Sequence, residues 1–283
     1  MIKKKVRLVR KVDPLGTESK RAITLKPSVI LGAAYARELM QITDEMYDIA
    51  AKAVIAEYQE TAATDAAEDF WSRLAKRMAS RFSARAAKLA TGMLSRVERN
   101  ATTNLERSLK STSADLTLNM KNTPAVQRDI DERIDYNVKL ITRIPFEFLD
   151  KVKKDVNDSL ATGNGLADLQ PALEKRYGES KRHAQLAALD QTRKAYTAIN
   201  TAKMRQNGVT KFEWVHSGGS QEPRPYHLHS PAQGGLNGGI FDINNPPIID
   251  QKTGERGLPG DDYNCRCTMR PIVTFDDDDE DDE

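Results

Sequence analysis

Two short pairs of side chains in the C-terminal part of the sequence are of types that bind metal ions. His227 and His229 are separated by one residue, and so are Cys265 and Cys267. On an extended backbone, residues two positions apart project to the same side, so the two pairs could converge on one ion. Thiolate and imidazole ligands select zinc, and a site with four protein ligands is closed and therefore structural. The sequence thus predicts a structural zinc site.

The same residues allow two other interpretations. Zinc sites usually have two to four residues between their cysteines, so His227 and the thiols could be ordinary buried groups, with Arg224 and Arg266 paired to loop carboxylates. Alternatively, Cys265 or Cys267 could form a nucleophile–base pair with His227, or the same residues could serve a metal-dependent hydrolase. The sequence has no phosphate-binding glycine loop, nucleophile elbow or His-Glu-x-x-His motif. We therefore predict that the protein is not an enzyme.

The histidine and cysteine pairs lie in a segment, 209–275, that differs from the rest of the chain. Phe212, Trp214 and His216 alternate with polar residues, which is typical of a half-buried strand. Frequent Gly and Pro between residues 218 and 260 predict short strands and loops. A module of this size with few large apolar residues is marginally stable alone, so it needs a metal ion or packing against helices.

The preceding sequence is predicted to be helical, which gives an α+β fold with a mainly helical body. One helix starts near Pro27 and carries a heptad stripe that needs a partner helix, in this chain or a neighbouring subunit. That stripe contains Tyr35, Leu39, Ile42, Met46, Ile49, Ala53 and Ala56. Ser, Thr, Asn and Pro between 110 and 125 predict a linker. Further on, Pro145 should end or kink a helix, Gly178 should end another, and Asn207–Gly208 should cap the last.

A second helix carries a stripe of basic residues. Between Trp71 and Leu89 the sequence has six basic residues and no acidic one. These are Arg73, Lys76, Arg77, Arg81, Arg85 and Lys88, which we call the basic stripe. Like charges at this spacing repel each other unless an anion faces them. The basic stripe therefore predicts contact with a polyanion such as non-specifically bound DNA, or with an acidic partner protein; a solvated helix face is the alternative.

Composition indicates a soluble protein made in the cytoplasm. Apolar runs are far shorter than the ~20 residues that a membrane-spanning helix needs, so no membrane span is predicted. The charged start, Met1 to Arg7, is not followed by the apolar segment of a signal peptide, so secretion is not expected. Cysteines one residue apart make a poor disulfide, and reduced thiols suit a protein made in the cytosol.

An ordered set of residues in segment 209–275 resembles the phage Mu F-like minor head proteins, also called head morphogenesis proteins. The matching residues are Trp214, Arg224, Pro225, His227, Gly239, Phe241, Pro259, Asn264, Cys265, Arg266 and Cys267. The resemblance extends more weakly over the helices from about residue 130. Its pattern includes His227 but not His229, so His216 is the alternative fourth zinc ligand.

The resemblance implies a minor capsid protein of a tailed bacteriophage, located in the virion at the portal vertex. The implied partners are the portal protein, scaffold or major capsid protein, and the implied roles are head assembly and, in some phages, DNA packaging or ejection. The alternative function is a cytoplasmic DNA-binding protein with a structural zinc module.

The predicted organisation has five parts. They are a basic N-terminal arm (1–26), an N-terminal helical region (27–120), the helical part of a Mu F-like domain (121–208), a small module of β-strands and loops with the Cys-x-Cys motif (209–275) and an acidic tail (276–283).

Overall fold

The computed structural model describes residues 19–60, 66–162, 166–218 and 222–275. Most of the predicted basic arm and all of the predicted acidic tail lie outside these residues. The described elements confirm an α+β fold: four long helices are followed by short antiparallel strands. The helices are α1 (Val29–Glu60), α2 (Ala66–Lys110), α3 (Pro124–Thr162), α4 (Leu166–Gln206) and the short α5 (Pro225–Leu228). The strands are β1 (Ser19–Arg21), β2 (Lys211–Val215), β3 (Ile240–Asp242), β4 (Ile248–Asp250), β5 (Glu255–Arg256) and β6 (Thr268–Thr274).

The chain divides into two compact units, each built from segments that are distant in sequence. The helical unit contains residues 29–94 and 132–191, and the sheet unit contains the described parts of 1–28, 95–131 and 192–283. This division differs from the predicted linear order of a 27–120 region and a 121–208 region. The predicted linker does separate α2 from α3, but α2, α3 and α4 each contribute residues to both units.

The helical unit buries one apolar stripe of α1. The first four predicted stripe positions, from Tyr35 to Met46, are fully buried. Beyond them, Ala50 and Val54 are buried instead of the predicted Ile49 and Ala53. A straight α-helix has 3.6 residues per turn rather than 3.5, so a buried face drifts away from a strict heptad. The stripe is therefore that of a helix packed in its own core, not of a coiled coil.

Polar contacts connect α1 to each of the other helices of the helical unit. Tyr35 Oη donates to Asn137 Oδ1 of α3 (3.1 Å), and Tyr177 Oη of α4 donates to Asp44 (2.6 Å). Glu45 accepts from Arg85 of α2. These contacts fix the register of α1 against its neighbours, because each joins side chains at a defined height along both helices.

Two predicted helix ends are wrong. α3 continues through Pro145 to Thr162, and α4 continues through Gly178 to Gln206. A proline inside a helix costs about 3 kcal/mol and a glycine about 1 kcal/mol. Burial of Ile141, Ile144 and Phe148 on both sides of the proline outweighs its cost, since each large apolar side chain contributes about 1.5–3 kcal/mol. No helix in the described ranges is both long enough and apolar enough to cross a bilayer.

The sheet unit is built around β6, which pairs antiparallel with β1 on one side and β2 on the other. The strand order is β1-β6-β2-β3, and β4 and β5 form a separate two-stranded pair. Phe212 and Trp214 of β2 are completely buried, which confirms the predicted alternation. Gly208, with φ +73°, ends α4 as predicted: only a left-handed residue lets the Val209 N–H return to the Met204 carbonyl (2.9 Å).

The last residues of the predicted basic arm are part of this sheet. Ser19 to Arg21 form edge strand β1 opposite Thr274 to Ile272. Ala22 and Leu25 are buried, and the Leu25 N–H donates to the Met269 carbonyl (2.8 Å). The end of the predicted basic arm, from Ser19 to Leu25, is therefore part of the sheet unit. Without β1, β6 would present an unpaired edge.

Candidate metal centre

Three separate loops of the sheet unit bring the predicted ligands together. His216 directly follows β2, His227 lies in α5, and the Cys-x-Cys motif directly precedes β6. The motif is reached through Gly260 and Asn264, which have φ values of +96° and +54°. An added Cβ on Gly260 would lie 3.1 Å from Thr197 Oγ1 of α4, so glycine allows the loop to approach that helix closely.

His227, Cys265 and Cys267 form a buried cluster. One potential ligand atom from each lies within 4.8 Å of the other two, and the His227 Nδ1 to Cys265 Sγ distance is 3.6 Å. His216 contacts the same cluster through Cys267, with 3.7 Å between His216 Nδ1 and Cys267 Sγ. The structure thus places the predicted cysteines beside two histidines.

His229 does not join the cluster. It is exposed and is the C-terminal cap of α5, with its backbone N–H donating to the Pro225 carbonyl (2.9 Å). The prediction that His227 and His229 project to one side assumed an extended backbone. Pro225 at the first helical position instead starts a helical turn, in which residues two apart point in different directions.

The orientation of the His227 ring is fixed by its other nitrogen. Nε2 lies 2.9 Å from the Ile249 carbonyl of β4, which can only accept, so Nε2 carries the hydrogen and donates it. In the neutral ring, the lone pair is then on Nδ1, which faces Cys265. The Trp214 ring packs edge-on against the His227 ring, with centroids 5.2 Å apart. No sequence pattern predicts the Ile249 carbonyl as a partner of His227.

The two thiols have pKa values that are displaced in opposite directions. The neighbouring Cys267 thiol and the His227 side chain lower the pKa of Cys265, although burial opposes this. The nearby Cys265 sulfur and burial raise the pKa of Cys267. Burial lowers the pKa of His227, but its hydrogen bonds to Cys265 and the Ile249 carbonyl raise it by more. Of the two thiols, Cys265 is therefore the one that ionises more readily.

Residues of the Mu F-like signature build the walls of this cluster. Arg224 pairs with Asp262 (3.1 Å) and donates to the Tyr263 carbonyl (3.0 Å), which joins α5 to the loop that precedes the cysteines. The Pro259 carbonyl accepts from Thr197 of α4 (2.9 Å). Arg266 is exposed, between the two buried cysteines. These positions act structurally.

Gly239 is required by an aromatic ring beside it. A Cβ at this position would lie 2.7 Å from the ring of Phe241, whose centroid is 5.9 Å from that of Phe212. The glycine therefore allows two signature residues, Gly239 and Phe241, to pack against the buried face of β2.

Half of the basic stripe is paired with carboxylates. Arg81 and Arg85 both contact Glu45 of α1, and Arg73 pairs with Asp69 one turn before it. Glu45 thus reaches the basic stripe from another helix, and it lies 40 residues before Arg85 in the sequence. Lys76, Arg77 and Lys88 are exposed, and no carboxylate pairs with them among the side chains that the structure describes.

A buried ion pair in the sheet unit was not predicted from the sequence. The Lys203 side chain is fully buried, and its Nζ donates to Glu98 (3.0 Å) and to the Met120 carbonyl (2.7 Å). It joins α4 to α2 and to the segment between α2 and α3. In the sequence, Lys203 is a basic residue in the last turn of a helix, where basic residues are common. No pattern of neighbouring residues indicates that its side chain is buried.

The fold and the site describe a helical protein with a small β-module stabilised around histidine and cysteine side chains. Residues 150–270 match the family model described as "Phage Mu protein F like protein", which confirms the Mu F-like resemblance over this segment. The match begins within α3 and ends in β6, so it contains α4 and the whole candidate centre. The similarity is to a family of phage proteins, and it covers less than half of the chain.

The comparison with curated proteins gives a similar but uncharacterized relative. An "Uncharacterized protein" of Haemophilus influenzae is 27% identical over 153 residues, which is 54% of this chain and 31% of the relative. The chain thus matches about a third of the length of that relative. No solved structure gives a significant match to the chain.

Proposed function

We propose that the protein is a minor head protein of a tailed bacteriophage that associates with the portal vertex during head assembly. The match of residues 150–270 to the Mu F-like family carries this proposal. Assistance to DNA packaging or ejection belongs to the same proposal, as do the portal, scaffold or major capsid proteins as partners. A location in the virion follows from it.

The surface of the helical unit favours an acidic protein partner over DNA. A groove in this unit has Ile49, Ala53 and Met78 along it, with cations Lys52, Arg77 and Arg81 among its lining residues. Phosphate backbones bind to dense cationic surfaces, and here Arg81 is already paired with Glu45. An apolar floor with a few cations suits an amphipathic acidic segment, whose apolar side chains enter the groove while its carboxylates meet the cations.

A charge-reversal experiment tests the partner surface. Arg77→Glu should lower the amount of protein incorporated into procapsids about tenfold or more, because it places like charges across the interface. Lys252→Glu is the matched control, since it makes the same charge change on an exposed turn of the sheet unit and should have no effect. Incorporation is measured by quantitative mass spectrometry of particles from cells that express the full set of head genes. Absence of the wild-type protein from both procapsids and virions would overturn the proposal.

The exposed cations Lys76, Arg77 and Lys88 support a second candidate function, that of a cytoplasmic DNA-binding protein. Mobility-shift measurements with free DNA distinguish the two. Tight binding to DNA without portal or procapsid, with an affinity that falls steeply as salt increases, would support the second function. Binding to portal rings without DNA would support the first.

A further inference from the structure

We propose that His216, His227, Cys265 and Cys267 bind one Zn²⁺ ion in a closed, structural site. Three of these residues form the buried cluster, and the fourth, His216, contacts it through Cys267. The inference does not depend on the proposed role in phage heads, because it rests on the geometry of the sheet unit alone.

Two of the distances between ligand atoms match those of tetrahedral zinc. With Zn–S bonds of about 2.3 Å and Zn–N bonds of about 2.0–2.1 Å, the sulfur and nitrogen ligands of one ion are about 3.6 Å apart. The two sulfur–nitrogen distances are 3.6 Å, for Cys265 and His227, and 3.7 Å, for Cys267 and His216. Each histidine thus forms one edge of a tetrahedron with a different cysteine.

The surroundings of His227 have the form expected of a metal ligand. A zinc-bound histidine commonly donates its second ring N–H to a carbonyl or carboxylate, which fixes the tautomer and the direction of the ligating nitrogen. The Ile249 carbonyl accepts from Nε2 in this way (2.9 Å), which leaves Nδ1 for the ion. The buried indole N–H of Trp214, whose ring packs against that of His227, has no hydrogen-bond partner among the described residues.

His216 is the fourth ligand rather than His229. Its backbone N–H donates to Asn237 Oδ1 (3.0 Å), which holds the end of β2 close to the cysteine loop. His229 is exposed, and its backbone carbonyl accepts the Asn237 N–H (2.9 Å). Asn237 therefore contacts both segments, but it is His216 whose Nδ1 lies 3.7 Å from the sulfur of Cys267.

Charge and connectivity favour a structural role. Two thiolates neutralise Zn²⁺, so the buried site carries no net charge. The ion would join the end of β2, α5 and the start of β6, which are up to 51 residues apart in the sequence. Closing such loops in a small module contributes directly to its folding free energy. With four protein ligands, no coordination position remains for substrate.

The test uses the full chain, expressed with zinc and measured for metal content. We expect one zinc per chain, and replacement by Co²⁺ should give the thiolate-to-cobalt absorption and the visible bands of tetrahedral cobalt. Cys265→Ser and His227→Ala should lose stoichiometric binding, and His216→Ala should weaken zinc affinity at least tenfold, as loss of a ligand requires. His229→Ala is the matched control and should bind zinc as the wild type does.

Two results would overturn the proposal. The first is wild-type protein that is folded by circular dichroism, holds no zinc after dialysis against micromolar zinc, and has both thiols free for alkylation; that result assigns the cluster to thiol–imidazole hydrogen bonds. The second is loss of zinc in His229→Ala with full binding in His216→Ala, which would refute the assigned ligand set. The two histidine variants keep the test decisive if the cysteine variants fail to fold.

Discussion

At the residue scale, the cluster of His227, Cys265 and Cys267 was predictable, but the second histidine beside it was not. Residue type alone indicated His227, Cys265 and Cys267, because few side chains bind soft metal ions. The choice between His216 and His229 depends on one helical turn at Pro225 to Leu228. Four residues are too few for any sequence periodicity, so only the folded chain distinguishes a turn from an extended segment.

The carboxylate of α1 that pairs with the basic stripe could not be predicted from the sequence either. Glu45 reaches Arg81 and Arg85 from another helix, and sequence patterns report neighbours only within one helix. The local pair between Asp69 and Arg73 was within reach of such patterns, because it has i,i+4 spacing.

The buried ammonium of Lys203 should depend strongly on its counter-charge. Glu98→Gln should lower the free energy of unfolding by about 3 kcal/mol, since it leaves a buried cation without a carboxylate. Lys203→Met should cost less, because the partly exposed Glu98 can then turn to water. Urea denaturation of the two variants measures both effects. A larger loss for Lys203→Met would contradict this account.

The ion pair of Asp155 with Arg176 should make stability depend on acid. Two guanidinium hydrogen bonds, of 2.8 and 3.0 Å, hold the pKa of Asp155 below its usual value. A lowered folded-state pKa stabilises the protein above the unfolded pKa of about 4, and this stability is lost as pH falls below that value. Asp155→Asn should cost about 1.5 kcal/mol at pH 7 and much less at pH 3.

Urea midpoints at the two pH values test the Asp155 prediction. Asp158→Asn is the matched control, since Asp158 pairs with Lys154 on the exposed face of the same helix and should contribute little at either pH. An equal loss for Asp155→Asn at pH 7 and pH 3 would show that the ionised form is not what stabilises the contact.

At the element scale, long amphipathic helices were predictable, whereas their ends and the edge of the sheet were not. Periodicity predicts α1 and α2 well, but it does not predict that α3 continues through Pro145 and α4 through Gly178. The sequence shows the intrinsic helix cost of proline and glycine, and it does not show the burial of neighbouring side chains that outweighs this cost. β1 was not predicted, for another reason. Ser19 of β1 and Thr274 of its partner strand β6 are 255 residues apart in the sequence, and a three-residue strand has no detectable alternation.

Removal of β1 should destabilise the sheet unit. A chain that starts at Lys26 loses the β1–β6 ladder and the burial of Ala22 and Leu25, and should be about 3 kcal/mol less stable. A chain that starts at Ser19 is the matched control, because it keeps both. The difference between the two urea midpoints is the measurement. Equal stability of the two truncated chains would show that the strand is dispensable.

At the scale of the whole molecule, the α+β class was predictable and the division into units was not. The predicted linker at 110–125 does separate α2 from α3, but it is not a boundary between the units, because α2, α3 and α4 each contribute residues to both. Composition reports how much apolar surface a segment has, and not which distant segment covers it. The Mu F-like match, at residues 150–270, likewise includes parts of both units.

Metal removal should act on one unit more than on the other. If zinc closes the site, chelation by a strong chelator should speed amide exchange in β2, β6 and the cysteine loop at least tenfold, while amides around Tyr35 and Phe148 in the helical unit keep their protection. Hydrogen exchange read by mass spectrometry compares these peptides within one sample. Uniform acceleration across both units would contradict a local role for the ion.

The pairing of Ser19 with Thr274 has a practical consequence for anyone who attaches something to this protein. Whatever is fused before residue 19 and whatever is fused after residue 275 will emerge side by side at the same rim of the sheet. In a chain trimmed to residues 19–275, a fluorescent label or affinity handle attached at Ser19 or at Phe275 would therefore lie at the same edge of the sheet. A short peptide linker could join these two residues without disturbing the strand register.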